Sequence, residues 1–309
     1  MKTDEFDSII FDCDGVLIDV TKSYDTTINK TISYVLKEIA DVTVDNPLTN
    51  EILLKFKSTG GFNDEIDITY SGVLCYIAAK KLNKNPTELI FDILGNADDS
   101  GIVYIEDFLN KIDVDISNIK SRLDYPSVDK NDLIHATFDQ LFFGPELYSK
   151  IFQKDSKFSE RGFIENDKVI VTSELIETLK RKFNDKVAIV TGRGFNAISS
   201  SLKELLNQFN VENSVFLEDE SRDLAKPNPN SLIRAMKGLD SKNCLYVGDS
   251  MEDMMLTQKA SELGFQATFC GIYGSSKLPE MKKKMFVEQN VTLILETINK
   301  LPDILRKKA

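Results

Sequence analysis

The sequence predicts an α/β protein: a Rossmann-like parallel-sheet core with helices on both faces, plus an inserted, mainly helical cap domain. Three observations carry that prediction. Short apolar runs of strand length recur in the second half of the chain, each bounded by polar residues or glycine. Helix-period patterns lie between them, so strand and helix alternate, which is the signature of a parallel sheet covered on both sides. The first apolar run is separated from the rest by about 145 residues, from Asp19 to about Glu165, without this alternation.

Taken in order, the strand candidates are Ser8–Phe11, Val187–Val190, Val215–Leu217, Cys244–Val247 and Ala267–Cys270. The helix candidates between the later ones are Glu174–Phe183, Ala197–Phe209, Ser231–Leu239 and Met254–Leu263, with apolar residues three and four apart. Residues 1–18 and 165–309 therefore form the α/β core, and residues 19–164 the inserted domain. Within the insertion the clearest helices are Thr21–Ile39, Glu65–Leu82, Glu88–Leu94 and Leu133–Phe143, interrupted at Asn46-Pro47, Gly60-Gly61 and Gly95–Gly101. A last helix is expected over roughly Leu278 to Leu301, with Lys282-Lys283-Lys284 as a solvated basic face.

Composition bounds the function. The 309 residues exceed a typical single domain, and 42% hydrophobic with 28% charged residues is an ordinary globular mixture. Lys and Arg number 38 against 49 Asp and Glu, a formal charge of -11 that repels polyanions, so nucleic acid is not the expected partner. The opening MKTDEFD lacks an apolar region, and no segment approaches the ~20 apolar residues of a membrane span, so a cytoplasmic protein with no membrane partner is expected. Cys13, Cys75, Cys244 and Cys270 show no metal-ligand or disulfide spacing and read as buried, reduced thiols. No heptad run or recognisable edge specifies an oligomeric state.

The chemistry sits at strand ends. Ile9-Ile10-Phe11-Asp12-Cys13-Asp14-Gly15-Val16 places Asp12 and Asp14 two residues apart beside a glycine, so both face one cleft. Val247-Gly248-Asp249-Ser250-Met251-Glu252-Asp253 adds Asp249 beyond another strand and Asp253 on the next turn. Ligands of open parallel sheets bind beyond the carboxyl ends of the strands, where these carboxylates converge. Such a cluster repels itself without a cation, and a hard ion with oxygen ligands answers that; Mg2+ is the implied cofactor. Val187–Val190 leads into Thr191-Gly192-Arg193, whose hydroxyl and backbone N–H groups suit phosphate oxygens. Lys226, in Ala225-Lys226-Pro227-Asn228-Pro229, offers a fixed ammonium on a stiffened loop.

These four pieces, in this order, resemble the haloacid dehalogenase-like superfamily, and the helical insertion after the first motif is similar to the type 1 cap of its phosphoglycolate phosphatase-like branch. The resemblance implies a Mg2+-dependent phosphatase acting on a small phosphorylated metabolite. Asp12 is then the nucleophile that forms an aspartyl-phosphate, and Asp14 the general acid and base. Asp12, Asp249 and the Asp14 backbone carbonyl hold the metal. Thr191, Gly192 and Lys226 hold the transferring phosphoryl group, and Asp253 supports Lys226 or metal-bound water. Arg193 is either a substrate contact or a surface residue. In Gly60-Gly61-Phe62-Asn63-Asp64-Glu65, Asn63 is a candidate substrate contact on a closing loop; the alternative is a plain turn with an N-cap. His135, the single histidine, lies in a helical pattern far from any motif and is expected to be structural or solvent-facing.

Similar cores serve several reactions. A dehalogenase needs no acid two residues past its nucleophile, and an ion-pumping ATPase needs membrane spans. A sugar-phosphate mutase using the same core residues remains the alternative, together with a non-catalytic phosphometabolite-binding module, against which the presence of both Asp12 and Asp14 argues.

Overall fold

The structure is a computed structural model that describes residues 6–62, 64–127 and 131–305. The chain divides into two compact units, one made of residues 1–21 and 167–309, the other of residues 22–166.

The second unit is helical. Its helices are α1 (Tyr24–Ala40), α2 (Asn50–Ser58), α3 (Glu65–Leu82), α4 (Pro86–Leu94), α5 (Ile102–Lys111), α6 (Ser117–Leu123) and α7 (Leu133–Phe152). Short polar side chains start several of them by accepting otherwise unsatisfied backbone N–H groups: Thr49 from Ile52, Asp64 from Ile66, and Asn85 from Thr87 and Glu88 with Pro86 at the first helical position. Asp64 thus gives the Gly60–Glu65 segment its N-cap; Asn63 lies outside the described residues. Helix α3 is buried on nearly all sides, from Ile66 to Ala79, and forms the centre of this unit. The expected helix end at Phe143 coincides with a break within α7: Gly144, at φ 70°, leaves the helical path, and Pro145 begins a second helical stretch that runs to Phe152. Helices α2 (Asn50–Ser58), α5 (Ile102–Lys111) and α6 (Ser117–Leu123) are not among the helices expected from the sequence.

The other unit holds strands β1 (Ser8–Phe11), β2 (Ile18–Asp19), β3 (Lys168–Val169), β4 (Val187–Thr191), β5 (Val215–Phe216), β6 (Asn243–Gly248), β7 (Gln266–Ile272) and β8 (Leu293–Leu295). Six of them form one parallel sheet in the order β5-β4-β1-β6-β7-β8, and β2 pairs antiparallel with β3. Helices α8 (Ser173–Phe183), α9 (Phe195–Leu202), α10 (Asn230–Gly238), α11 (Met251–Glu262), α12 (Pro279–Glu288) and α13 (Leu301–Leu305) connect and follow the strands. Fold class thus agrees with the sequence reading. Helix α8 shows the logic: Thr172 caps it, and Leu175, Ile176, Leu179 and Phe183 bury one face. Each such side chain contributes about 1.5–3 kcal/mol when fully removed from water.

One expected element is corrected. The span from Leu278 to Leu301 is not a single helix: α12 ends at Glu288, and residues 293–295 pair with β7 as the sixth strand. The Val-Thr-Leu-Ile-Leu run at 291–295 is β-branched and apolar, and sheet pairing overrides a weak helical periodicity there.

Sheet order positions the chemistry. The chain winds from β1 through β4 to β5 on one side, then returns to β6, β7 and β8 on the other, so the winding reverses at β1. In register, Phe11 pairs with Ile189 and with Val247. Asp12, Thr191 and Asp249 therefore leave three adjacent strands at the same edge, the crevice in which such sheets bind ligands.

Candidate active site

The first carboxylate is held by main chain. The Asp12 N–H donates to Val247 O at 2.8 Å, extending the ladder one residue beyond β1. The chain then folds tightly: the N–H groups of Val16, Leu17 and Ile18 all point to Cys13 O, and Gly15 N donates to Ile18 O at 2.7 Å. Gly15 has φ 73°, and a Cβ there would lie 2.0 Å from Asp249 Oδ2, so only glycine lets the two motifs meet. Cys13 is fully buried. Burial first, and then Asp14, push its thiol up, so it is an inert packing group.

Asp253 organises the other side. Ser250 and Asp253 form a capping box at the start of α11. Asp253 Oδ2 accepts from the backbone N–H of Asp249 and Ser250 at 3.0 and 3.2 Å and from Ser250 Oγ at 2.9 Å. Its Oδ1 accepts from Lys226 Nζ at 2.7 Å and lies 2.9 Å from Tyr246 Oη. Both oxygens are committed, so Asp253 holds Lys226 and the Asp249 loop. Burial opposes ionisation of Asp253, but Lys226 and these donors outweigh it and lower its carboxyl. Tyr246 Oη also lies 3.0 Å from Val190 O, tying β6 to β4 beneath the site. Sequence reasoning missed Tyr246; the available signal was a phenol in an otherwise apolar central strand, which needs a partner for its hydroxyl.

Lys226 Nζ is 2.8 Å from Asp12 Oδ1 as well, so one buried ammonium is shared by two carboxylates. Burial lowers a lysine, but Asp12 and Asp253 reverse this and raise it. Burial pushes the Asp12 carboxyl up to about 8 against the pull of Lys226, with Asp253, Asp14 and Asp249 adding to the rise. A cation beside Asp12 favours its anionic form.

Thr191 is fully buried at the end of β4, and its Oγ1 accepts from Arg193 N at 3.3 Å. Gly192 O accepts from Glu218 N at 3.1 Å. The next two N–H groups are taken: Gly194 N donates to Glu218 at 2.9 Å and Phe195 N to Asp219 at 2.7 Å. Gly192 N is the main-chain donor that the sequence reading assigns to phosphate.

Arg193 is not a surface residue. It is 2% exposed, and its guanidinium lies 2.8 Å from Asp14 Oδ1, 2.7 Å from Asp167 Oδ2 and 2.8 Å from Ser201 Oγ. The guanidinium is thus joined to Asp14, rather than standing as an independent contact. Asp167 had no motif to announce it; its place just before β3 brings it to this fork.

Lys282 is the second correction. Only Lys283 and Lys284 of the basic run are exposed; Lys282 is buried on α12 and its Nζ forms an ion pair with Asp249 Oδ2. The i to i+4 spacing to buried Phe286 gave a signal, hidden because a charge run reads as a solvated face. The strand-end carboxylates therefore do not stand without cations: Lys226, Arg193 and Lys282 answer them from within the protein.

One carboxylate oxygen each from Asp12, Asp249 and Asp253 lie within 4.8 Å of one another. Hard oxygen donors at this spacing fit a small divalent cation such as Mg2+. Since Asp253 is fully hydrogen-bonded, Asp12 and Asp249 are the side chains suited to direct ligation. Asp14 enters the reading through its backbone carbonyl. Buried in the helical unit, His135 Nδ1 lies 2.6 Å from Asp132 Oδ2, a structural pair.

Residues 137–260 match the family model of haloacid dehalogenase-like hydrolases. Among solved structures, a structural-genomics target is similar at 18% identity and TM-score 0.58, over 99% of this chain and 98% of its own. The phosphatase Tt82 from Thermococcus thioreducens is similar at 22% identity and TM-score 0.57, over 89% of this chain and 97% of its own. A predicted phosphoglycolate phosphatase from Haemophilus somnus is similar at 14% identity and TM-score 0.53, over 99% of this chain and all of its own. At these identities the likeness concerns fold. A comparison with curated proteins finds no match.

Proposed function

We propose that this chain, whose residues 137–260 match the haloacid dehalogenase-like hydrolase model, is a Mg2+-dependent phosphatase of that family that hydrolyses a small phosphomonoester through an aspartyl-phosphate on Asp12. The observation that carries this reading is the Asp12 carboxylate at the winding reversal, 2.8 Å from the buried Lys226 ammonium, with Asp14 two residues on.

In this reading an Asp12 oxygen attacks phosphorus as the ester P–O bond breaks, and the departing alcohol takes a proton from Asp14. Water then attacks the acyl phosphate and gives a proton to Asp14, while inorganic phosphate leaves and the Asp12 carboxylate is restored. Lys226, Thr191 Oγ1 and Gly192 N hold the phosphoryl oxygens as charge redistributes. Asp253 fixes Lys226, and Arg193 fixes Asp14. Asp12, Asp249 and the Asp14 carbonyl hold Mg2+, which when bound supplies charge neutralisation between nucleophile and phosphate, a contribution of several kcal/mol.

Substrate class follows from the phosphate-directed donors and from the net charge of -11, which disfavours polyanions. The helical unit, inserted in the chain directly after the first motif, is assigned to substrate selection. Four free, buried cysteines suit a reducing, cytoplasmic setting, and among the described residues no helix is long and apolar enough to cross a membrane. Phosphate release from a panel of small phosphate esters, with Mg2+ or chelator and with Asp12→Asn as the blank, tests the proposal. Metal-dependent release abolished by that substitution supports it; no release from folded, Mg2+-binding protein sinks it in favour of phosphoryl return to substrate or of binding alone.

A further inference from the structure

Lys282 differs from the lysines beside it. Its side chain is 8% exposed against 76% for Lys284, because position 282 lies one turn before buried Phe286 on the inner face of α12. Its ammonium pairs with Asp249, the acidic residue just beyond β6. The segment leading to α12 is itself anchored to the first motif, since Ser275 Oγ donates to Gly15 O. Burying a lysine costs hydration and side-chain freedom, so the position persists through its partner.

The ion pairs around the site join five carboxylates (Asp12, Asp14, Asp167, Asp249 and Asp253) to three cations. Lys226 bridges Asp12 and Asp253, and Arg193 bridges Asp14 and Asp167; both belong to the phosphate-facing motifs. Lys282 serves Asp249 alone among the described residues and comes from a segment outside those motifs. It is also the cation on the flexible four-carbon stem of a surface helix, able to withdraw toward solvent without unseating another carboxylate.

We propose that Lys282 is a tethered cation that competes with the divalent ion for Asp249 and thereby sets the metal affinity of the site. The inference rests on the metal-dependent reading above. An ammonium and a dication within a few ångströms repel, and the oxygen that accepts from Lys282 is withdrawn from metal ligation. Metal binding must displace this contact, so the wild-type site binds divalent ions more weakly than its carboxylates alone dictate.

The test is a calorimetric titration of the full chain with Mg2+, without substrate, for wild type, Lys282→Met, Lys282→Arg and Asp249→Asn. Lys282→Met keeps the apolar stem and removes the charge; it is expected to bind Mg2+ at least about tenfold more tightly, while Lys282→Arg stays near wild type. Met binding equal to or weaker than wild type overturns the proposal. If the Met variant is unstable in chelator, added Mg2+ should restore its folding, because the dication replaces the missing charge; failure to fold even with saturating Mg2+ also overturns it. Mg2+ binding by wild type that Asp249→Asn abolishes upholds the metal-dependent reading whatever Lys282→Met does, whereas indifference to Asp249→Asn sinks the metal site itself.

Discussion

The Nζ of Lys226 lies 2.8 Å from Oδ1 of Asp12, and the same ammonium reaches Asp253 at 2.7 Å. The contact joins the end of β1 to a loop more than two hundred residues later. It makes two substitutions unequal. Asp12→Asn leaves Lys226 paired with Asp253, so the chain should fold, with turnover reduced at least about a thousandfold because an amide cannot form the acyl phosphate. Lys226→Met leaves two buried carboxylates without their cation and should cost about 3–5 kcal/mol of stability. Urea unfolding of both variants beside phosphate release checks the pair; near-normal turnover of Asp12→Asn excludes the mechanism.

Arg193 spans Asp14 and Asp167 with a fork that an ammonium cannot reproduce. Arg193→Lys should therefore lower kcat by about tenfold or more while KM changes little, because Asp14 loses its orientation but the phosphate keeps Lys226 and Thr191. A steady-state series over substrate concentration separates the two. A rise in KM with kcat unchanged would instead make Arg193 a substrate contact.

How much of this was legible beforehand divides along physical lines. The strands and strand-end carboxylates were readable because a buried parallel strand is a short apolar run and its exit is marked by glycine and aspartate. The sixth strand was not, because Leu293–Leu295 lies in a segment with helical periodicity and its identity comes from pairing with β7. Asp12, Asp14, Thr191, Lys226, Asp249 and Asp253 stood out by local motif. Tyr246, Asp167 and Lys282 did not, since each acquires its role from a partner distant in sequence: Val190, Arg193 and Asp249. Burial of a charged side chain is a tertiary property, which is why Arg193 and Lys282 resembled surface residues until the sheet edge was assembled.

Asp132 should set part of the acid limb of stability. It caps α7 through Ile134 N and His135 N at 3.0 and 2.9 Å, and accepts from Ser127 Oγ at 2.6 Å. Burial raises its carboxyl, but His135, Ser127 and the helix N–H groups outweigh this and hold it below its ordinary value of 3.8. The folded state thus binds the proton less readily than the unfolded one, so the contribution is fully present above the ordinary value and is lost as pH falls through the depressed folded value. Asp132→Asn retains a capping oxygen but not the charge. Its stability should be lower by about 1–3 kcal/mol near neutrality, and the loss of stability below pH ~4 should be shallower than in wild type. Urea midpoints across that acid range decide; parallel curves would refute a role for this carboxylate.

Gly15 offers a way to test the proposed metal site without substituting one of its carboxylates. Its φ of 73° disfavours any side chain, and the added methyl of alanine would meet Asp249 Oδ2 at 2.0 Å. The backbone strain alone costs about 1–2 kcal/mol, which a core of this size tolerates. The Asp249 carboxylate cannot stay in place, since Asp253 holds the Asp249 backbone N–H while the carboxylate must turn from Gly15. Gly15→Ala should therefore fold, lose about 10- to 100-fold in Mg2+ affinity, and regain turnover as Mg2+ is raised. Calorimetry with a Mg2+ dependence of phosphate release tests both halves. Unchanged Mg2+ affinity would mean that Asp249 is not a ligand, and Asp12 and Asp253 would then serve to hold Lys226 while Asp249 holds Lys282.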